Sequence, residues 1–306
     1  MMMLRLVATR LLIGDNMNKL ISIVGLTSSG KSDLAIDLAK LFNGEIVSAD
    51  SRQVYKGLDW CSGKVTPEEQ QMVPHHLIDV ANLGERFTLF DYQKLAYEKI
   101  DDIISRNKIP FLVGGTGLYS RSVVQGFSLS EEKPKNELRE KLENLSKDDL
   151  VKMCQERNIE IPEEITARRL IRLLEKEDAT QKENQPKYKV LQLGIFWNRE
   201  DIYNRIKIRL ERRMPEMLKE IQRLLDAGTD KEFLRSLGLE AKYVCDYLDG
   251  KFAGYEEFFE ELYKEERHFA KRQNTWYNKE PETIWLDGKE PMIEKAKELI
   301  EKFLAE

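Results

Sequence analysis

Short apolar runs alternate with stretches of helical apolar spacing in the first part of the chain. The β-branched run Lys19–Val24 predicts a buried strand, and apolar residues at helical spacing follow it over Asp33–Phe42. The alternation repeats in a strand predicted over Gly44–Asp50, a helix from Leu89 to about Arg106, and a strand over Ile109–Gly114. Strands that alternate with helices indicate a parallel, doubly wound sheet, whose ligands bind at the carboxyl ends of the strands.

The pattern changes at about Ser128. From there to about Gln185 the chain is charged, keeps helical spacing and shows no obvious strand, which predicts a small helical insertion domain over residues 128–185. The core is therefore expected in two parts, residues 17–127 and 186–306. The elements predicted for the second part are a strand over Val190–Trp197, a long basic helix from about Asp201, helices over about Leu234–Leu248 and Tyr255–Tyr277, an edge strand over Thr283–Asp287 and a helix over Pro291–Leu304.

Composition narrows the class of protein. The 306 residues are 41% hydrophobic and 34% charged with a net charge of −5, so a nucleic-acid site would have to be a local basic patch. The three cysteines form no C-x-x-C pair, which argues against a zinc finger or a disulfide framework and favours a reducing, cytoplasmic compartment. No apolar stretch is long enough for a membrane span. Residues 1–16 lack a convincing signal-cleavage site, and we expect them to be a disordered extension.

The first strand and helix flank a glycine-rich stretch, Gly25-Leu-Thr-Ser-Ser-Gly-Lys-Ser32, which has the pattern of a phosphate-binding loop. Its two glycines allow a sharp turn whose backbone N–H groups point at an anion, and the helix dipole adds partial positive charge there. Lys31 supplies a full charge to a terminal phosphate, and the Ser32 hydroxyl is placed to ligate Mg²⁺. The pattern does not tell whether the bound polyphosphate belongs to a nucleotide.

Two further polar residues follow predicted strands. Asp50 ends the second strand, and Thr116 follows the third in a Gly-Gly-Thr-Gly turn. Because the carboxyl ends of parallel strands meet at one edge, Lys31, Asp50 and Thr116 are expected to converge. Asp50 could serve as a metal ligand or as a base. His75 and His76 have no acidic third ligand at a metal spacing, which favours structural or hydrogen-bonding roles for them.

Three basic clusters stand out against the acidic total. They lie at Arg168–Arg172, on the helix face of Arg205–Arg212 with spacing i, i+4 and i+7, and in Lys271–Tyr277, where cations mix with aromatics. Acidic neighbours such as Glu216 and Glu220 indicate that part of the second cluster is a solvated face. Together the clusters fit contacts to a nucleic-acid backbone.

Five motifs, in order along the chain, resemble those of the tRNA dimethylallyltransferases, also called tRNA isopentenyltransferases. Besides the phosphate loop they are Ser48–Gly57, Pro74–Asp79, Gly114–Tyr119 and Lys271–Trp276, and the similarity extends over about 19–287. This family transfers the prenyl group of dimethylallyl diphosphate to N6 of the adenosine at position 37, beside the anticodon of tRNA. The resemblance implies a P-loop NTPase-like parallel sheet flanked by helices, with dimethylallyl diphosphate and tRNA as partners of a monomer.

By this resemblance Asp50 is the general base, and Thr116 orients the adenine amine. The residues carried over to diphosphate binding are Gly25, Thr27, Ser28, Ser29, Gly30, Lys31, Ser32 and Arg209, with Mg²⁺ on Ser32. The residues expected to contact tRNA are Ser51, Arg52, Gln53, Thr116, Arg168, Arg169, Arg172, Arg205, Lys271, Arg272, Gln273 and Trp276.

The chain departs from the family pattern at Cys61–Lys64, Met217 and Gly238–Ala241, and its insertion is shorter than usual. Three other functions stay open at this point. An adenylate isopentenyltransferase would need neither the insertion nor the basic helices. A P-loop kinase of a small metabolite should bind ATP far better than dimethylallyl diphosphate. A non-enzymatic RNA-binding paralogue would have no use for Asp50 and Thr116.

Overall fold

The computed structural model describes residues 19–129, 136–161, 165–176 and 184–306. The predicted extension, residues 1–16, lies outside the described residues. The chain divides into two compact units, of which the first contains the described residues up to Gly126 and from Pro186 onward. The second unit lies within Phe127–Gln185, the range in which the sequence predicts the insertion.

The sheet of the first unit contains six strands in the described ranges. They are β1 (Lys19–Gly25), β2 (Gly44–Ser48), β3 (His75–His76), β4 (Ile109–Val113), β5 (Lys189–Phe196) and β6 (Ile284–Asp287). Neighbouring strands all pair in parallel, in the order β3-β2-β4-β1-β5-β6. The predicted parallel α/β fold is confirmed, and the carboxyl ends of the strands meet at one edge of the sheet.

Helices surround this sheet and also build the second unit. Those described are α1 (Lys31–Leu41), α2 (Pro67–Met72), α3 (Leu89–Ser105), α4 (Gly117–Val124), α5 (Asn136–Glu143), α6 (Lys147–Glu156), α7 (Ala167–Lys176), α8 (Arg199–Asp226), α9 (Lys231–Ser236), α10 (Leu239–Leu248), α11 (Tyr255–Tyr277) and α12 (Met292–Ala305). Both faces of the sheet are covered because alternate strand residues point to opposite sides. Ile21 and Ile23 of β1 share a core with α1 and α12, whereas Leu20 packs in the core that contains α3 and α4.

A separate helical core lies in the C-terminal part of the first unit. Buried Leu210, Met214 and Met217 of α8 pack there with residues of α10 and α11. The sequence predicts one helix over Leu234–Leu248, but the structure has two, α9 and α10. The break falls at Gly238, whose φ of +152° is unfavourable for residues with a side chain.

The second unit contains α5, α6 and α7. Leu142, Leu150 and Leu170, one from each helix or its end, are buried in its small core. The predicted break near Pro162 lies outside the described residues. In the parts of the chain that the structure describes, no helix has the length and apolarity of a membrane span.

Candidate active site

The phosphate loop connects β1 to α1 in the way that the motif predicts. Gly30 precedes α1 with a φ of +91°, which glycine adopts without strain. Lys31 opens the helix, and its Nζ donates to the carbonyl oxygen of Leu26 at 2.6 Å, so the ammonium group lies over the loop. The indole Nε1 of Trp197 donates to the Ser29 carbonyl at 2.9 Å and holds the loop from the side of β5.

Two arginines of α8 reach the same loop. Arg209 Nη1 donates to the Thr27 hydroxyl at 3.0 Å, and Arg205 Nε donates to the Ser28 carbonyl at 2.8 Å. The guanidinium of Arg205 also lies 4.4 Å from the ring centroid of Trp197. The sequence assigns Arg209 to diphosphate and Arg205 to RNA. In the structure one helical turn of spacing brings both arginines to the loop, and the RNA contact of Arg205 stays a prediction.

Lys31 and Arg209, two partly buried cations at this end of the site, have lowered pKa values. Burial, helped by the neighbouring Arg209 guanidinium, lowers the pKa of Lys31 to about 7, although Asp50 opposes the shift. Burial and the charge of Arg213 likewise lower the pKa of Arg209 to about 10. Burial and neighbouring cations disfavour the charged forms of Lys31 and Arg209, and a polyanion would favour them, so the loop is a candidate site for a diphosphate.

Asp50 lies just past the end of β2, as predicted. Its Oδ1 accepts hydrogen bonds from the backbone N–H groups of Arg52 at 2.8 Å and Gln53 at 3.4 Å. Its Oδ2 has no donor among the described residues. Burial raises the pKa of Asp50, while the two backbone donors and Lys31 oppose the shift. One carboxylate oxygen is therefore held in place, and the other is available to accept a proton.

Thr116 lies beside Asp50 because the turns after β2 and β4 are joined. The Thr116 N–H donates to the Ala49 carbonyl at 3.3 Å, and the Ser51 N–H donates to the Thr116 hydroxyl oxygen at 3.1 Å. Gly114 permits this approach, since a Cβ at that position would lie 2.1 Å from the Ala49 oxygen. The predicted convergence of Asp50 and Thr116 is seen in the structure.

Gln273 of α11 joins the two halves of the site. Its Oε1 accepts from the Thr27 N–H at 2.8 Å, and its Nε2 donates to the Gly115 carbonyl at 2.9 Å. The sequence places Gln273 among the tRNA contacts, but its side chain is buried and both ends of its amide are bonded to these loops. In the structure Gln273 holds the phosphate loop and the Thr116 turn together.

The remaining residues of the Lys271–Tyr277 cluster differ in position. Trp276 lies against the start of α4, where a Cβ on Gly117 would fall 2.2 Å from its Nε1. Arg121 lies 5.6 Å from the Trp276 ring centroid. Lys271 and Arg272 are exposed, which leaves both free for the RNA contact that the sequence predicts.

One cavity, about 1440 Å³ in volume, brings most of the predicted residues together. Lys271 is not among the residues that line it. Arg168, Arg169 and Arg172 are exposed on α7 of the second unit, and their RNA contact stays a prediction. The predicted residues that line the cavity are Thr27, Ser28, Ser29, Gly30, Lys31, Ser32, Asp50, Ser51, Arg52, Gln53, Thr116, Arg205, Arg209, Arg272, Gln273 and Trp276.

Sequence reasoning missed two charged residues of α8. It treats Glu220 as part of a solvated face, but Glu220 is only 4% exposed. Its carboxylate accepts from the N–H groups of Asp59, Trp60 and Cys61 at 2.6, 2.8 and 2.9 Å. Arg213, also buried, donates through Nε to the Trp60 carbonyl at 2.9 Å. The signal was available, because both residues fall on the apolar face of α8.

Comparisons with known proteins agree with this geometry. The IPP transferase family model matches residues 53–280, and the isopentenyl transferase model matches residues 18–87. The tRNA dimethylallyltransferase 2 of Shewanella sediminis is 39% identical, with 92% of this chain and 97% of the relative covered. The tRNA dimethylallyltransferase of Streptococcus agalactiae is 40% identical, with 94% and 98% covered.

Solved structures give the same result. The tRNA isopentenylpyrophosphate transferase of Bacillus halodurans has a TM-score of 0.72 at 34% identity and covers 94% of this chain and 96% of that one. A eukaryotic dimethylallyltransferase acting on tRNA has a TM-score of 0.73 at 26% identity over 89% of this chain and 74% of that one. With a family match over residues 53–280 and relatives similar along nearly their full length, the chain belongs to the IPP transferase family, the tRNA dimethylallyltransferases.

Proposed function

We propose that the protein transfers the dimethylallyl group of dimethylallyl diphosphate to N6 of the adenosine at position 37, beside the anticodon, in tRNA. The products are N6-dimethylallyladenosine and diphosphate. The observation that carries the proposal is the arrangement within one cavity. Asp50, a partly buried carboxylate with one oxygen that no described residue bonds, shares it with a phosphate loop whose cations Lys31 and Arg209 form no ion pair with a described acid.

Diphosphate binding would use the charge at the loop. Lys31 and Arg209 neutralise the phosphate oxygens, and the exposed backbone N–H groups at the start of α1 add donors. As the bond between C1 of the prenyl group and the diphosphate oxygen breaks, negative charge grows on the leaving group. The same cations stabilise that charge more strongly than they stabilise the substrate, which lowers the barrier.

The acceptor amine would react on the other side of the cavity. The lone pair of the adenine amine is delocalised into the ring, so the amine needs a base as the new C–N bond forms. Oδ2 of Asp50 accepts the N6 proton, while the two backbone donors hold Oδ1. The Thr116 hydroxyl, fixed by the Ser51 N–H, orients the amine. For this geometry the adenosine must leave its stack and enter the cavity.

A magnesium ion fits the donor set beside the loop. Ser32 and Asp33 offer a hydroxyl and a carboxylate at the same cavity wall as Lys31. In the described ranges no group of three or more acidic, histidine or cysteine ligands forms an all-protein metal cage. Mg²⁺ is commonly held by one or two protein oxygens together with substrate phosphates. When bound, it would supply further positive charge to the leaving diphosphate, with Ser32 as its protein ligand.

Transfer to RNA rather than to a free adenylate is supported by exposed cations. Arg212 and Arg272 line the cavity and are exposed, and Lys271 is exposed nearby on α11. Each would be positioned to neutralise a phosphate of the anticodon arm, despite the acidic total. We further propose that the enzyme acts as a monomer in the cytoplasm; a reducing compartment accords with three buried cysteines that form no disulfide.

The experiment that tests the proposal is incubation with radiolabelled dimethylallyl diphosphate and total tRNA, followed by digestion to nucleosides. Label in N6-dimethylallyladenosine, mapped to the nucleoside beside the anticodon, is the expected result. Label that enters only added AMP would replace the proposal with adenylate prenylation. Binding of ATP in preference to dimethylallyl diphosphate, with no labelled nucleoside, would replace it with a small-molecule kinase.

A further inference from the structure

Trp60 is a large exposed side chain at the candidate active site that the proposed chemistry does not use. It is 44% exposed and lines the same cavity as Asp50 and Thr116. Exposed aromatic side chains on a well-supported loop are typical of recognition surfaces. The ring of Trp60 is therefore available to contact a ligand in the cavity.

The backbone around Trp60 is held by buried charges of α8. Its N–H donates to Glu220 Oε2 at 2.8 Å, and its carbonyl accepts from Arg213 Nε at 2.9 Å. The neighbours Asp59 and Cys61 donate to the same carboxylate at 2.6 and 2.9 Å. Since the backbone is fixed before any ligand arrives, covering the indole costs little conformational entropy.

The loop that carries Trp60 is tied to the acceptor side of the site. Gln53 Nε2 donates to the Gly63 carbonyl at 3.2 Å, and the backbone N–H of Gln53 also bonds to the carboxylate of Asp50. Gln53 therefore connects the loop that carries Trp60 to Asp50, the residue proposed to meet the reacting base. Because Trp60, Gln53 and Asp50 line one cavity, the flat indole ring suits a base beside the target adenosine.

The charges around the cavity favour RNA over the prenyl chain as the ligand of this ring. Arg212, Lys242 and Arg272 line the cavity, and none of them forms an ion pair with a described residue. A five-carbon prenyl chain gains most from an enclosed apolar wall. An exposed indole in a cavity that these cations also line instead matches a nucleobase with its phosphates.

We propose that Trp60 is a stacking platform for a tRNA base that adjoins the target adenosine, and that it contributes to the choice of RNA. The inference rests on the proposed function. Removing the adenosine from the loop stack exposes the face of a neighbouring base, and the indole replaces the lost partner. The ring contributes to RNA affinity and leaves the binding of dimethylallyl diphosphate unchanged.

The first test compares Trp60→Ala and Trp60→Phe with the control Trp285→Ala in the full-length enzyme. Trp285 is similarly exposed, at 38%, but lies on β6 and not among the cavity residues. For a synthetic anticodon stem-loop, Trp60→Ala should raise the Kd about 5- to 150-fold, the range for one base stacked on an aromatic ring. Trp60→Phe should recover most of the affinity, and Trp285→Ala should bind like the parent.

The KM for dimethylallyl diphosphate distinguishes an RNA base from the prenyl chain as the ligand of the Trp60 ring. It should stay within about twofold of the parent value in Trp60→Ala, because a uniform loss of RNA binding leaves the other substrate untouched. A rise in this KM with unchanged RNA affinity would overturn the proposal and place Trp60 in the prenyl pocket.

A cycle with modified RNA identifies the stacked base. Two stem-loops are compared, one with an abasic nucleotide on the 5′ side of the target adenosine and one with it on the 3′ side. The parent enzyme should bind one of the two more weakly than the unmodified stem-loop, and that position identifies the stacked base. With Trp60→Ala that same abasic change should cost nothing further, because the stack is already lost. Additive losses at both positions would overturn the proposal.

Fluorescence gives a readout that is independent of turnover. Emission of the parent enzyme should fall when the stem-loop binds, and the part of the change due to stacking should be absent in Trp60→Ala and retained in Trp285→Ala. If the parent enzyme prenylates tRNA while these Trp60 variants behave like it, the inference fails and the proposed function stands. If the parent transfers no prenyl group to RNA, the proposed function itself fails.

Discussion

The two ends of β2 carry two carboxylates with opposite surroundings. Glu45 lies near the start of the strand, where Arg106, Lys108 and His76 donate to it at 2.6–2.8 Å. Asp50 lies just past the other end, where the donors to it among the described residues are all backbone N–H groups. The cations hold the pKa of Glu45 well below its ordinary value, whereas burial raises the pKa of Asp50.

This contrast separates a structural charge from a reactive one. Glu45 is almost fully buried, and both of its oxygens are matched by cations, so the ion network is complete without a ligand. At the carboxyl edge, the nearby cations of Lys31 and Arg209 face the phosphate loop, and one oxygen of Asp50 stays unbonded. The charged groups of this edge lack partners that a substrate would supply. Groups with perturbed pKa values in a cleft are typical of functional sites.

The largest expected effect is at the reactive end. Asp50→Asn keeps the size and one acceptor oxygen of the side chain but removes the base. Prenyl transfer should fall about 10²- to 10⁴-fold, the usual cost of losing a positioned base. Single-turnover assays with labelled dimethylallyl diphosphate measure it, and filter binding of tRNA serves as the control. Near-normal turnover would remove Asp50 from the mechanism.

Removal of the loop cation should have the next largest effect. Lys31→Ala deletes a charge-assisted contact worth about 1.5–3 kcal/mol, so the Kd for dimethylallyl diphosphate should rise about 10- to 150-fold. Calorimetric titration of the diphosphate measures the change, while tRNA affinity reports whether the rest of the site is intact. The view of the loop as a diphosphate site would be contradicted if prenyl transfer were unchanged and only ATP binding were lost.

The pH dependence of activity sharpens the comparison because two groups of the reactive end, Lys31 and Asp50, lose their active forms in opposite directions of pH. Lys31 is charged below its pKa of about 7 and neutral above it, so kcat/KM for dimethylallyl diphosphate should fall as the pH rises past 7. On the acid side, protonation of Asp50 below its raised pKa removes the base and lowers the same quantity. The pH profile should therefore have an alkaline limb above pH 7 and an acid limb below the raised pKa of Asp50, each approaching about tenfold per pH unit. In Lys31→Ala the alkaline limb should disappear.

The smallest effect on activity is expected at the structural end. Glu45→Gln leaves Arg106 and Lys108 without their carboxylate and should lower the free energy of unfolding by about 1–3 kcal/mol, with turnover unchanged. The pKa of Glu45 is depressed, so its stabilisation is present above the ordinary pKa of about 4.3 and is lost as the pH falls through the depressed value. Urea melts at pH 7 and pH 4 should show a difference that narrows with acid. If Glu45→Gln lowered turnover under conditions where the variant is fully folded, the assignment of a purely structural role to Glu45 would be contradicted.

Local sequence predicted much of the fold and the site, because the responsible signals are short. The phosphate loop is one continuous motif, and the rule that parallel strands end at one edge brings Asp50 and Thr116 to it. The same reasoning missed the support of Trp60 by Glu220, since partners 160 residues apart leave no local pattern. It assigned Arg205 and Arg209 to different ligands and did not predict that both contact the phosphate loop.

The bridge made by Gln273 has a consequence for the growing chain on the ribosome. The phosphate loop is synthesised early, yet the acceptor for the Thr27 N–H lies 246 residues further on. At typical rates of synthesis of about 5–20 residues per second, that interval lasts roughly 12–50 s. Throughout this time the nascent protein has the phosphate loop but not Gln273, which bonds to it. Any product that terminates before α11 keeps the phosphate loop but lacks the complete site.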